Sequence, residues 1–229
     1  MTFFWNHVPS EETERGINIL SEQLQSSLIL EEKITSEIQV ILQELNRAYD
    51  NPEKMSYETT WQNIFRDHPL GHMTLGTQES LLGLRLEHFT DFIERFYHSG
   101  NYTFIIAGNI TPEHAQELCD KYFPEKSRKA RNERSVQPVQ KPLGNPVIVN
   151  KKINQVHISL AAAIENIEPK EKRILNIYGL MLGSGMGSPL FQEIREKRGL
   201  CYVVFSSFSA GSTESGFRIG MATGKEKYK

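Results

Sequence analysis

Apolar residues recur at helical spacing over much of the first half of the chain. From Glu31 to Tyr49 the residues Ile34, Ile38, Ile41, Leu42, Leu45, Ala48 and Tyr49 make one stripe, which predicts a long amphipathic helix stopped by Asp50-Asn51-Pro52. The same period predicts helices after Ser10, over residues 52–66, after Thr77, over 86–97, and from Thr111-Pro112 to about Phe123. The last of these opens on a cap residue with proline at its first position. Residues 2–8 and 101–108 lack that period; they are β-branched and aromatic runs, and they predict strands.

The second half mixes the two patterns. Strands are predicted at 147–151, 156–163, 201–209 and 216–222, with helices over 169–182 and 189–197. Between the halves, residues 125–145 are polar, charged and punctuated by Pro138 and Pro142, as a linker is. The pattern therefore predicts an α+β chain with a first domain over 1–127, a linker over 128–145 and a second domain over 146–229. The length of 229 residues suits two modest domains.

Composition narrows the classes of function. With 38% apolar and 24% charged residues the chain is globular, and a formal net charge of −2 gives no basic face for nucleic acid. The basic run from Lys126 to Arg134 is short and set among polar residues, so it reads as a solvated segment. Cys119 and Cys201 are too few for a disulfide framework and read as reduced thiols. No apolar run approaches the ~18 residues of a membrane span, and the first residues lack a secretory pattern. These features predict a cytoplasmic protein without membrane or nucleic-acid partners.

Candidate chemistry begins at Leu180-Met181-Leu182-Gly183-Ser184-Gly185-Met186-Gly187-Ser188-Pro189. Three alternate glycines invite a nucleotide reading, but a phosphate cradle needs a strand before them and a Lys-Ser/Thr pair after them. Here a helix precedes and no such pair follows, so the loop reads as a pliable joint between helices. The residues after it, Phe191-Gln192-Glu193-Ile194-Arg195-Glu196-Lys197-Arg198-Gly199-Leu200-Cys201-Tyr202, are more distinctive.

The run from Leu182 to Phe208 resembles the hallmark of the second half of the insulinase and pitrilysin-like zinc peptidases, which include processing peptidases. Glu37 to Glu44 on the long helix, His68-Pro69-Leu70-Gly71-His72 with the residues to Leu81, and Asn101 to Phe123 resemble the same family in its order. The resemblance implies two similar domains, each a mostly antiparallel sheet with helices on one face, both truncated here. It implies zinc in the intact parent, with Glu44 as third ligand and Glu37 as a companion acid one double turn earlier. It also implies that Arg195 and Tyr202 grip a peptide substrate, with Gly183, Gly185 and Gly187 bordering its path.

The family's HxxEH motif, which carries two histidine ligands and the general base, is absent from the chain. His68 and His72 are four apart but enclose proline and glycine and no glutamate, so they do not form it. The expectation is an internal fragment of a zinc metalloendopeptidase that encloses short or unfolded peptides, inactive by itself and binding no zinc alone. Retention of both Glu44 and the Arg195/Tyr202 pair implies the bacterial type that forms homodimers. The competing expectation is a non-catalytic subunit with a role in assembly or substrate delivery.

Overall fold

The computed structural model describes residues 2–124, 138–140 and 144–228. Its helices are α1 (Thr13–Gln25), α2 (Glu31–Asp50), α3 (Pro52–Phe65), α4 (Gln78–Leu82), α5 (Leu86–Phe96) and α6 (Pro112–Tyr122), followed by strand β1 (Gln155–Glu165), helix α7 (Pro169–Gly183) and strands β2 (Cys201–Ala210) and β3 (Glu214–Gly224). The described residues of Met1–Gln39 and Leu82–Ser135 form one compact unit, and those of Val40–Leu81 and Val136–Lys229 a second. The expected linker over 128–145 falls largely outside the described residues.

In the first unit, local chemistry starts and joins the helices. The Thr111 hydroxyl accepts from the His114 N–H at 3.2 Å and so caps α6, while Pro112 takes the position whose N–H needs no helical partner. Helix α6 meets α1 through polar contacts: Gln25 Nε2 donates to the Tyr122 carbonyl at 2.7 Å, and Glu14 accepts from Lys121 at 2.6 Å and Tyr122 at 2.8 Å. Aromatic rings supply the apolar part, with Phe92 against Phe96 and Tyr97, and Phe104 against Phe123.

The second unit is built on an antiparallel sheet of order β1-β3-β2. Strand β3 pairs along its whole length with β1, from Gln155 opposite Gly224 to Glu165 opposite Glu214. Alternation sends side chains to opposite faces. Helix α7 lies on one face, where Gly179 meets Phe217 and Phe208 and its carbonyl accepts from the Ser206 hydroxyl at 2.7 Å. Helix α3 meets the other: Trp61 covers Gly216, and Tyr57 lies over the Arg218 guanidinium at 5.4 Å. That guanidinium is buried; Phe205 flanks it at 4.9 Å, and its Nε–H donates to the Ser159 hydroxyl at 2.8 Å. The turn after α3 is anchored to the sheet as well, with buried His68 placing Nε2 3.7 Å from Glu214.

Three expected strands are not strands. Residues 2–8, 101–108 and 147–151 hold no ladder, and several of their large apolar side chains lie open, Trp5 and Ile148 at 78% and Ile105 at 87% exposure. The cause is physical: a strand exists only when a second backbone lies beside it, and among the described residues none lies beside these. The helical expectations fare better, since a helix satisfies its backbone hydrogen bonds within itself, even where part of its apolar side, as at Ile177 and Met181 of α7, lies exposed.

Candidate functional site

Arg195 is positioned by an irregular helix. After α7, the Gly185 backbone turns with φ +80°, the Ser188 N–H donates to the Gly185 carbonyl at 3.2 Å, and Gln192 Nε2 ties back to the Met186 carbonyl at 2.7 Å. The joint expected to be pliable is thus hydrogen-bonded to itself. Next comes a π-helical turn, Phe191–Glu196, with the Lys197 N–H reaching the Gln192 carbonyl five residues back at 2.9 Å. Such turns insert a residue into helical register and recur at functional sites.

Tyr202 is positioned by an irregular strand. Gly199, at φ +57°, lets the chain reverse into β2. There Cys201 stands opposite Thr223 and Val203 opposite Ala222, which leaves Tyr202 as the extra residue of a β-bulge. A bulge re-aims the side chain it carries, and Tyr202 stands 72% exposed on the sheet edge. The two irregularities converge: Arg195 Cζ is 4.5 Å from the centroid of the Tyr202 ring and 4.5 Å from that of Phe191. Phe191 and Tyr202 make no ring contact with each other among the described residues, and the Arg195 guanidinium is the group that both touch.

Charge around this cluster is modest. Glu196 lies 3.7 Å from Arg195 Nε, and Glu193 is held below the ordinary carboxylate range by its hydrogen bond from Lys197. Burial pushes the Cys201 thiol up, with the Arg195 charge working against that, so this cysteine is a protonated, half-buried packing residue. Phe191 is the site residue that pattern reading passed over, although its spacing of four from Arg195 was a usable signal.

The three glycines differ in kind. Gly183 ends α7 and packs on β2: a Cβ there would come 2.2 Å from the Ser206 amide nitrogen. Gly185 serves backbone conformation, and Gly187 faces open space with ordinary dihedrals. Close packing of helix on strand accounts for the first.

Glu37 and Glu44 share a face of α2 two turns apart, about 10 Å along the axis at the helical rise. Both are exposed. His68 is spoken for, since Nδ1 accepts from the Leu70 N–H at 3.1 Å while Nε2 faces Glu214. Among the described residues no three His, Cys, Asp or Glu side chains come together as metal ligands. A catalytic zinc takes three protein ligands, and this donor set does not fit one.

Comparison with known proteins places these features. The family model described as the peptidase M16 inactive domain matches residues 83–229. An uncharacterized zinc protease of Rickettsia felis is 33% identical over 227 residues, covering 99% of this chain and 54% of the relative. One of Rickettsia bellii is 32% identical, again over 99% of this chain and 54% of its own length. The chain thus spans about half the length of these curated relatives. Among solved structures, a protease from Helicobacter pylori aligns with TM-score 0.82 at 20% identity, over 94% of this chain and 54% of that one. The peptidase M16 inactive domain from Pseudomonas fluorescens aligns with TM-score 0.79 at 20% identity, over 95% and 53%. At those identities the structural likeness establishes the fold, an α+β metallopeptidase architecture. The family match reaches through α5 and α6 to the sheet, the π-helical turn and the bulge, and this chain belongs to the peptidase M16 family of zinc protease-like proteins.

Proposed function

We propose that the chain is part of a zinc-dependent metalloendopeptidase that hydrolyses short or unfolded peptides in an enclosed chamber, with residues 146–229 gripping the substrate. The observation that carries this reading is the Arg195–Tyr202 cluster, in which a π-helical turn and a β-bulge bring a guanidinium and a phenol together at an exposed sheet edge. Arginine offers planar, permanently charged donors suited to peptide carbonyls. The Tyr202 hydroxyl has no hydrogen-bond partner among the described residues, so it can donate to the oxygen on which charge builds during carbonyl attack. Gly185 and Gly187 lie on the stretch leading into this cluster and border the same substrate path, with Gly183 fixing its origin on β2.

Relatives named zinc proteases support zinc in the parent. Glu44 is the one ligand this chain is proposed to contribute, with Glu37 as its companion acid. Alone these two carboxylates hold no metal, and the contribution of this chain's own residues is binding and charge stabilisation. No helix among the described residues is long and apolar enough to cross a membrane. We place the protein in the cytoplasm, with peptides as substrates and a second copy as partner through the exposed edge of its sheet.

Cleavage of a quenched fluorescent peptide by the gene's whole product, supplied with zinc, tests the reading. Tyr202→Phe is expected to lower kcat by about 100-fold, the loss typical of one oxyanion donor. Arg195→Ala is expected to raise KM. A wild-type protein that cleaves, with both variants equally active, sinks the assignment. A second reading, a non-catalytic subunit, is favoured by the description of the matching family model as an inactive domain. It predicts a wild-type protein that binds peptide without cleaving it.

A further inference from the structure

We propose that Phe191 is a positioning residue for Arg195, closing one flat side of the guanidinium so that it meets its ligand only by its edge; this rests on the reading of Arg195 as the substrate grip. A guanidinium has two faces and a rim of five N–H donors. Here the rings of Tyr202 and Phe191 each lie with their centroid 4.5 Å from Cζ, and they make no ring contact with each other, so they approach the guanidinium from different directions. Rings at that distance stack over the flat sides of a guanidinium, and the charge is then offered through the rim, where donors lie in one plane.

The backbone shows why this takes an irregular helix. Phe191 and Arg195 lie four apart on a π-helical turn, whose larger number of residues per turn changes their relative azimuth from that of an α-helix. The turn's start is fixed by Ser188, whose hydroxyl accepts from the Phe191 N–H at 3.4 Å and whose carbonyl accepts from the Gln192 N–H at 3.0 Å. Its end is fixed by the Gly199 N–H on the Arg195 carbonyl at 2.9 Å and by Lys227 Nζ on the Gly199 carbonyl at 2.7 Å. Phe191 and Arg195 are both half-buried while Tyr202 is exposed, so Phe191 is the fixed wall and Tyr202 the open one. The ligand that such a rim recognises is a planar acceptor, a peptide carbonyl or a carboxylate lying in the guanidinium plane.

The Phe191 ring should leave a spectroscopic mark that bulk alone does not. In the 229-residue chain, labelled with nitrogen-15, the Arg195 Nε–H resonance is expected to sit displaced by ring current and to exchange slowly with water. Phe191→Leu should return it toward the position of a free arginine, Phe191→Tyr should restore the displacement, and Phe191→Trp should enlarge it, with the amides of β2 unmoved in all three. A resonance unmoved in the leucine and tryptophan variants overturns the proposal. If leucine unfolds the chain, the tyrosine and tryptophan variants still decide, because they keep the space filled and differ in ring current.

In the gene's whole product, Phe191→Leu is expected to raise the peptide KM about three- to ten-fold with kcat nearly unchanged, the size of one lost cation–π contact. An equal fall in kcat with KM unchanged also overturns it. Should the whole product cleave nothing, the peptidase reading fails while the resonance shifts continue to report the clamp, so the two failures are distinguishable.

Discussion

The two compact units carry the same kind of apolar run and put it to different use. In the sheet unit, β3 lies between β1 and β2 and its residues are buried or half-buried along the strand. In the other, residues 102–107 have as strong a strand composition, yet Ile105 stands open to water and the backbone holds no ladder. The difference teaches that period and β-branching report what a segment could join, while the ladder depends on another segment far away in sequence. Helices need no such partner for their backbone bonds, so they form in both units.

Mutation should expose that asymmetry most strongly at the core of the sheet unit. Leu45, on α2, is 1% exposed, and Leu45→Ala is expected to cost about 2–5 kcal/mol by urea denaturation. Ile105→Ser removes a similar side chain from the other unit and is expected to stay within about 0.5 kcal/mol of wild type. Hydrogen exchange should agree, with β3 amides protected and those of residues 102–107 exchanging quickly. Equal costs for the two substitutions would mean that the 102–107 segment is covered in solution, and the comparison would break.

A smaller effect separates the glycines of one loop. Gly183→Ala drives a Cβ into the Ser206 backbone, which cannot swing aside as a side chain could, and is expected to cost about 1–3 kcal/mol. Gly185→Ala meets no atom but must adopt φ +80°, for roughly 1 kcal/mol. Gly187→Ala meets neither obstacle and should be neutral. Thermal melts of the three variants would rank them; a neutral Gly183→Ala would undo the packing assignment.

Much of the helical fold was legible. The stripe from Ile34 to Tyr49 predicted α2 to within a residue, and Thr111-Pro112 announced α6 with its cap. Strands β1, β2 and β3 were legible too, because each is bounded by turn residues and each found a partner. The candidate site was legible as a list, through the resemblance that named Arg195 and Tyr202, but not as a geometry. A π-helical turn differs from an α-helical one by a single shifted hydrogen bond, and a bulge by one unpaired residue. Neither leaves a mark in hydrophobic period, so Phe191 read as one more apolar helix residue. The GxGxG spacing was uninformative for a related reason, since one pattern covered a packing glycine, a conformational glycine and an unconstrained one.

The smallest expected effect lies where the first unit relies on surface polarity. Glu14 on α1 and Lys121 on α6 are 2.6 Å apart, and the hydrogen bond from Lys121, then that from Tyr122, holds the Glu14 carboxyl below its ordinary value. The hydrogen bond to Glu14 in turn raises Lys121 above its ordinary value. A depressed carboxyl contributes stability above its unfolded pKa, near 4.5, and loses it as pH falls through the lower folded value. A raised amine contributes below its unfolded pKa, near 10.5, and loses that contribution as pH climbs through the higher folded value. The α1–α6 link should therefore hold between those limits and weaken beyond both. Both groups are exposed, so the gain is screened by salt. Carbon-13 titration of the Glu14 side chain should give a midpoint below that of a free glutamate, rising toward it in Lys121→Met, and molar sodium chloride should close most of the gap. A midpoint that ignores the Lys121 change would show that the seam rests on Tyr122 instead, through its hydroxyl on Glu14 and its carbonyl accepting from Gln25.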